Sequence, residues 1–141
     1  MSPWAALAVA ALLQAGAMAP QPMTSIARGA QSAVETPRQL VVRSEAEWKT
    51  LWQEHAPDRP APAVDFTRDM VIGVFLGTRT TGGYGVEITG TRQDRGSLIV
   101  EYRETRPGRG AITAQVITTP FHLVAIPRFA GDVRFEKLTS S

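Results

Sequence analysis

The sequence contains no cysteine, and histidine occurs only twice among its 141 residues. Without cysteine the chain can form neither disulfides nor thiolate metal sites, and it has no N-terminal cysteine to carry a lipid anchor. This absence does not fix the cellular compartment. The length fits one domain, and the hydrophobic share of 43% is enough to close a single core.

A strong excess of charge of one sign is also lacking. Fifteen Lys and Arg residues stand against 13 Asp and Glu residues, which gives a formal net charge of +2. No basic stripe with interleaved aromatic residues runs along the chain, and such a stripe is what nucleic-acid-binding proteins use. Nucleic acid is therefore not an expected partner.

A long hydrophobic run is missing as well, because the apolar stretch from Trp4 to Leu13 is too short to span a bilayer. Two small-x-small patterns follow it, at residues 15–17 and 17–19, and signal peptides are cleaved after such patterns. We therefore expect residues 1–19 to be a signal peptide and the protein to be exported, to the periplasm or outside the cell. No membrane span is expected after cleavage. No Lys or Arg precedes the run, so the alternatives are an uncleaved N-terminus that lies on a membrane or a misassigned start of the sequence.

The chain is organised around the stretch from Asp65 to Ile88. Met70–Leu76 is an apolar run broken only by Gly73, which predicts a strand buried on both faces. After a glycine-containing loop, apolar and polar residues alternate from Tyr84 onwards, as in a strand with one buried face. A strand with two covered faces needs a partner layer on each side, and the rest of the chain has to supply both.

One amphipathic helix is predicted directly after a short strand at Gln39–Arg43. Ser44-Glu45-Ala46-Glu47 has the form of a capping box, in which Ser44 bonds the amide of Glu47 and Glu47 reaches back to the amide of Ser44. The residues that follow at helical spacing on one face are Trp48, Leu51, Trp52 and His55. We expect this face to pack on the Met70–Leu76 strand rather than to bind a partner.

The remaining segments are short and strand-like, with Gly and Pro between them. They predict a mainly β fold, an antiparallel sheet or β-sandwich with the one helix packed on it. Residues 20–37 are predicted to be a linker with a candidate edge strand at 26–34. Ile112, Ala114 and Val116 are expected to point inward. The other predicted elements are a turn at 93–96, a strand at 98–104, a turn at 106–110, and strands at 111–118, 121–126 and 133–137.

The sequence shows no arrangement typical of catalysis. His55 and His122 are its two imidazole bases, and neither lies in a catalytic or metal-binding pattern. There is no Gly-x-Ser-x-Gly elbow and no cysteine nucleophile. The glycine-rich stretch at 82–85 is similar to a phosphate cradle, but no Lys-Ser/Thr or helix follows it, so a hairpin loop is favoured. We expect no enzymatic activity, no cofactor and no metal.

Two segments carry the most specific signal in the chain: TGGYGVEI at 81–88 and TPFHLVAIP at 119–127. Between them lie the predicted strand at 98–104 and Arg-Pro-Gly at 106–108. Together they resemble the C-terminal domain of the protease complex subunit PrcB family, over about Arg38 to Phe135. We therefore expect residues 38–141 to form a PrcB C-terminal-like domain. The resemblance implies a non-catalytic, exported protein that supports the assembly or stability of an extracellular protease complex. The founding lipoprotein type has a cysteine to lipidate and this chain has none, so membrane anchoring is not carried over.

A second resemblance is confined to one loop. Residues 80–84 are similar to the T-T-G-Y loop with which chagasin-type inhibitors enter papain-like cysteine peptidases. Here an extra glycine precedes the tyrosine, and Arg106-Pro107-Gly108 stands where that family has R-P-W. The loop and a basic hairpin tip at Arg103, Arg106 and Arg109, which could steer an acidic partner, are the predicted sites for a protein partner. The predicted partner-binding residues are Thr80, Thr81, Gly82, Gly83, Tyr84, Arg106 and Arg109.

Overall fold

A computed structural model describes residues 21–139, in which seven strands and one helix form three layers. The elements are β1 (Thr24–Gly29), β2 (Arg38–Val42), α1 (Glu45–His55), β3 (Asp69–Phe75), β4 (Gly85–Asp94), β5 (Ser97–Thr105), β6 (Phe121–Pro127) and β7 (Val133–Lys137). The predicted signal peptide falls on residues 1–19, which lie outside the described part. Between residues 21 and 139, no helix is both long enough and apolar enough to cross a membrane.

The strands form two sheets. The first is antiparallel with the order β1-β6-β3-β2, and the second has the order β4-β5-β7. The prediction of a mainly β fold with one packed helix is confirmed. One pairing differs from the antiparallel expectation, because β7 runs parallel to β5. Between these two strands the chain passes through β6 in the other sheet, and such a crossover is what a parallel pair requires.

Strand β3 is buried on both faces, as its unbroken apolar sequence predicts. Its even-numbered side chains face the second sheet, where Val86 and Val100 are also fully buried. Its odd-numbered side chains face α1. A Cβ at Gly73 would lie 2.6 Å from Leu123 Cδ2, so the glycine that interrupts the run makes room for a neighbouring strand.

Helix α1 covers the outer face of the first sheet through the predicted stripe, since Trp48, Leu51, Trp52 and His55 are all buried. The Ser44 hydroxyl accepts a hydrogen bond from the Glu47 amide at 3.2 Å, so the predicted N-cap is confirmed. The second predicted hydrogen bond of the capping box, from the Ser44 amide to the Glu47 side chain, is wrong by one residue. The Glu47 carboxylate accepts from the Arg43 amide at 3.4 Å instead of the Ser44 amide.

Two further predictions are confirmed in outline. The β4–β5 turn has positive φ at Arg95 (52°) and Gly96 (83°), which is the geometry of a tight hairpin. The candidate edge strand exists as β1 at the edge of the first sheet, but it spans Thr24–Gly29 rather than 26–34.

The predicted strand at 111–118 is wrong. Within the described residues this stretch forms one isolated bridge, between Thr118 and Arg79. Ile112, Ala114 and Val116 were expected to point inward, and all three are exposed. The strand propensity of residues 111–118 is strong. However, β5 and β6 belong to different sheets, and the connection between them crosses one end of the sandwich. Residues 111–118 lie in this connection and join no ladder within residues 21–139.

Candidate functional site

Two connections meet at one end of the sandwich, one between β3 and β4 and the other between β5 and β6. Arg79 and Thr118 exchange both backbone hydrogen bonds, at 2.7 and 2.9 Å. The Gly82 amide donates to the Ala114 carbonyl at 2.9 Å. The Thr118 hydroxyl donates to the Thr81 carbonyl at 3.0 Å. Residues 79–84 and 106–118 therefore form one continuous surface, called the loop surface below.

Gly83 explains why this loop needs a glycine. Its φ of 92° is a conformation that other residues rarely adopt. A Cβ there would also lie 2.9 Å from Pro107 Cγ and 3.2 Å from Thr113 Cγ2. The glycine thus allows the 79–84 loop to touch the Arg-Pro-Gly turn, and the two predicted groups of partner-binding residues are brought together.

The predicted loop residues differ in accessibility. Thr80 and Gly83 are exposed, whereas Thr81, Gly82 and Tyr84 are half-buried. The Thr81 hydroxyl donates to the Gly82 carbonyl at 3.0 Å, so its side chain is occupied within the loop. The Arg79 guanidinium lies 5.6 Å from the centre of the Tyr84 ring, a cation–π arrangement that holds the ring in place. Thr80 is consequently the side chain of this loop that a partner can reach most directly.

The two predicted arginines lie at the rim of the loop surface. The Arg106 side chain is 71% exposed, and its guanidinium is 3.8 Å from the Glu104 carboxylate. That carboxylate is already held by Lys137 at 2.8 Å. Arg109 is exposed and forms no ion pair with any residue from 21 to 139. Both cations are therefore accessible to an acidic partner.

Sequence reasoning missed the apolar part of this surface. Relative exposures are 102% for Ile112, 64% for Ile117 and 47% for Val116, and these are the exposed large hydrophobic side chains of the described residues. One signal could have found them. Val116 and Ile117 are adjacent, so in a strand they would point to opposite faces, and at least one of them would face away from the core.

Both histidines are buried and hydrogen-bonded away from the loop surface. The Ile88 amide donates to His122 Nδ1 at 2.9 Å, and Ser25 Oγ lies 2.9 Å from Nε2. Burial lowers the pKa of His122, and the Arg28 charge lowers it further, while Glu87 acts in the opposite direction. His55 is hydrogen-bonded to Ser32 Oγ at 2.7 Å. Burial, and next the charge of Arg59, lower the pKa of His55.

The loop surface combines polar, cationic and apolar side chains. Its predicted residues supply hydroxyl groups, guanidinium groups and backbone N–H and C=O groups. Across residues 21–139, no group of three or more His, Cys, Asp or Glu side chains is placed to hold a metal ion. Exposed apolar side chains together with accessible cations are common in protein-contact surfaces.

Comparison with known proteins supports the sequence resemblance at this point. Residues 70–127 match the family model PrcB C-terminal. The resemblance to the PrcB family is thereby confirmed over this range. The PrcB C-terminal match begins at the second residue of β3 and ends at the last residue of β6, so it contains the whole loop surface. Helix α1, β1, β2 and β7 lie outside it. No curated protein and no solved structure matches the chain.

Proposed function

We propose that this protein is a non-catalytic, exported accessory subunit that binds a protease and supports the assembly or stability of a protease complex. The observation that carries the proposal is the PrcB C-terminal match at residues 70–127. The loop surface lies entirely inside that range. Accessory function requires a contact surface rather than reactive groups, and the loop surface offers exposed apolar side chains and accessible cations.

The test is a two-component reconstitution. Full-length protein first serves as bait for the exported fraction, a bound protease is identified by mass, and that protease is then purified and mixed with the bait. Ile112→Asp places a charge in the apolar part of the loop surface, and its exposed position makes normal folding the expectation. Lys49→Asp is the matched control, because Lys49 is exposed on α1, an element separate from the loop surface.

We expect the wild-type protein and Lys49→Asp to bind the purified protease and to slow its loss of activity. Ile112→Asp should bind at least about tenfold more weakly, since a charge would be desolvated at the contact. Failure of the wild-type protein to bind any protease in the purified mixture would contradict the accessory role. Equal binding by Ile112→Asp would place the contact elsewhere on the molecule.

A second candidate function is inhibition of papain-like cysteine peptidases through the Thr80–Tyr84 loop. The observation that favours it is the contact between this loop and the Arg106-Pro107-Gly108 turn, with a Gly83 Cβ position 2.9 Å from Pro107 Cγ. Two touching loops at one end of a sandwich can enter a cleft together. Thr80→Arg tests this candidate, because Thr80 is exposed whereas Thr81 is half-buried. Wild-type protein should inhibit papain and Thr80→Arg should not, with unchanged melting curves. Absence of inhibition by the wild-type protein would eliminate this candidate.

Export is part of the proposal. It rests on the apolar stretch at 4–13 and the small-x-small patterns that follow it. Cleavage after residue 17 is favoured, because at the other pattern Pro20 would directly follow the cleaved bond. Intact mass of the secreted protein should correspond to a chain that begins near Met18 or Pro20. A protein that retains residues 1–17 would contradict signal cleavage.

A further inference from the structure

The segment at 111–117 has a strand-forming sequence but does not form a strand. Four of its seven residues are β-branched: Ile112, Thr113, Val116 and Ile117. It forms no ladder with any residue from 21 to 139. Apolar side chains of this kind are usually stabilised in a strand by neighbours across the sheet. Here Ile112, Val116 and Ile117 are exposed instead, with Ile112 at 102%.

The backbone of this segment makes few hydrogen bonds to the rest of the described protein. One of them runs from Gln31 Nε2 to the Ile117 carbonyl, at 3.3 Å. The Ala114 carbonyl accepts from Gly82, and Thr118 bonds to Arg79 in both directions. In contrast, the amides of residues 112–117 donate to no backbone or side-chain acceptor within residues 21–139. Hydrogen-bonding groups alternate between the two edges of an extended chain. Once the segment is extended, residues 113 and 115 therefore present N–H and C=O groups on the edge that faces away from Gly82.

The end of the segment that precedes Ala111 is basic. Arg106 and Arg109 are exposed, and the Glu104 carboxylate near Arg106 is already paired with Lys137. Gly110 has a φ of 77°, so the chain makes a sharp turn directly before the segment. An incoming chain that lies along 111–117 would thus meet two accessible cations at one end. A carboxylate there would be favoured by charge complementarity.

We propose that an extended, acidic segment of a partner protein adds to residues 111–117 as a β-strand. Backbone hydrogen bonds to the outer edge would supply affinity, and Ile112, Val116 and Ile117 would supply apolar contacts with alternating side chains. Carboxylates at one end of the incoming strand would pair with Arg106 and Arg109. This inference rests on the proposed function and specifies how the partner is bound.

A second copy of this chain fits the same edge less well. It would bring another pair of arginines to the contact, and its Glu104 is occupied by Lys137. Cations without carboxylates to meet them disfavour association. The occupant that the charges favour is therefore a different, acidic chain, and self-association becomes an outcome that the experiment must be able to detect.

The probe is a synthetic peptide of alternating valine and threonine with a pair of aspartates at one end. Its matched control carries lysines in place of the aspartates. Binding to full-length protein is measured by fluorescence anisotropy. The aspartate peptide should bind, and the lysine peptide should bind at least about tenfold more weakly, because its charges oppose Arg106 and Arg109. With the Arg109→Ala variant, the difference between the two peptides should shrink.

A matched pair of variants at Gln115 tests the backbone directly. Gln115→Pro removes an amide donor from the outer edge, whereas Gln115→Ala keeps it. Gln115 is exposed and its amide has no acceptor within residues 21–139, so melting curves of both variants should match the wild type. Gln115→Pro should lower the affinity for the aspartate peptide by about tenfold or more. Gln115→Ala should bind this peptide with the affinity of the wild type.

Three results would overturn the inference: no binding of the aspartate peptide, equal binding by Gln115→Pro and Gln115→Ala, or concentration-dependent dimers that vanish in Gln115→Pro. These results are distinguishable from failure of the proposed function. If the purified protease binds normally to Gln115→Pro, strand addition is wrong while the accessory role stands. If the peptide binds as expected but no protease does, the accessory role is wrong while the strand-binding edge stands.

Discussion

At the scale of single residues, His122 joins the two sheets. It lies on β6 in the first sheet, and its Nδ1 accepts from the Ile88 amide on β4 in the second sheet, at 2.9 Å. Because Nδ1 is an acceptor, the ring proton belongs on Nε2, from which it is donated to Ser25 Oγ at 2.9 Å. A protonated ring would lose the bond to Ile88. The fold therefore requires the neutral form of this histidine.

This requirement predicts a loss of stability in acid. Burial lowers the pKa of His122 in the folded state, so the unfolded chain, with a histidine pKa of about 6.5, binds more protons as the pH falls. The free energy of unfolding should be highest above about pH 6.5 and should decrease below it, down to the lowered folded-state pKa. His122→Asn places an acceptor near the position of Nδ1 without a titrating ring. Urea melts from about pH 7.5 to about pH 5 should show a smaller decrease for this variant.

His55 supplies the control for the pH experiment. Its pKa is also lowered, first by burial and then by Arg59, so it contributes to the loss of stability in the same pH range. Some pH dependence should therefore remain in His122→Asn and should diminish further in the double variant with His55→Asn. An unchanged pH dependence in His122→Asn would show that the buried ring is not the source of the effect.

At the scale of elements, α1 and β3 were predictable because local pattern and tertiary position agree. Trp48, Leu51, Trp52 and His55 recur at the spacing of one helix face, so only a helix buries all four on the same side. Met70–Leu76 is apolar throughout, so a strand there has both faces buried. The 111–117 segment lacked that agreement. Its strand propensity was strong, but within residues 21–139 it pairs with no strand. The parallel pairing of β7 depends on a crossover that no local pattern records.

The candidate site was predictable only in part for the same reason. Thr80–Tyr84 stands out in sequence as a glycine-containing loop, and Arg106 and Arg109 as a basic tip. Their contact through Gly83 and Pro107 arises from tertiary packing, as does the exposure of Ile112 beside them. Spacing along the chain cannot reveal that two loops, each from a different connection, share one end of a sandwich.

Helix α1 allows a quantitative comparison of capping with burial. Ser44→Ala removes the hydroxyl that accepts from Glu47, so it should lower the free energy of unfolding by about 1 kcal/mol. Trp52 is only 7% exposed, and its indole N–H donates to the Arg59 carbonyl at 3.0 Å. Trp52→Ala should therefore cost about 3–5 kcal/mol. Denaturant melts measure both. If Ser44→Ala were the more damaging change, the packing of α1 on β3 would need another account.

At the scale of the whole molecule, burial and hydrogen bonding decrease from the centre to the loop surface. β3 pairs with β2 and β6, and it is covered by α1 on one face and by the second sheet on the other. The 111–117 segment has none of these supports. A layered protein of this kind has a rigid centre that can present a weakly held segment to a partner without itself unfolding.

Hydrogen exchange followed by mass spectrometry should record this gradient. The amides of β3 donate within a central strand, so they should exchange only through global unfolding, with protection of about 10³-fold or more. The amides of residues 112–117 have no acceptor within residues 21–139, and they should exchange almost as fast as in an unstructured peptide. β7, which pairs on one side with β5, should fall between these limits. Addition of the aspartate peptide should slow exchange in 112–117 and leave β3 unchanged, whereas the lysine peptide should change exchange in neither region. Protection of 112–117 in the isolated protein at high dilution would contradict the gradient, because the segment would then already have a partner within its own chain.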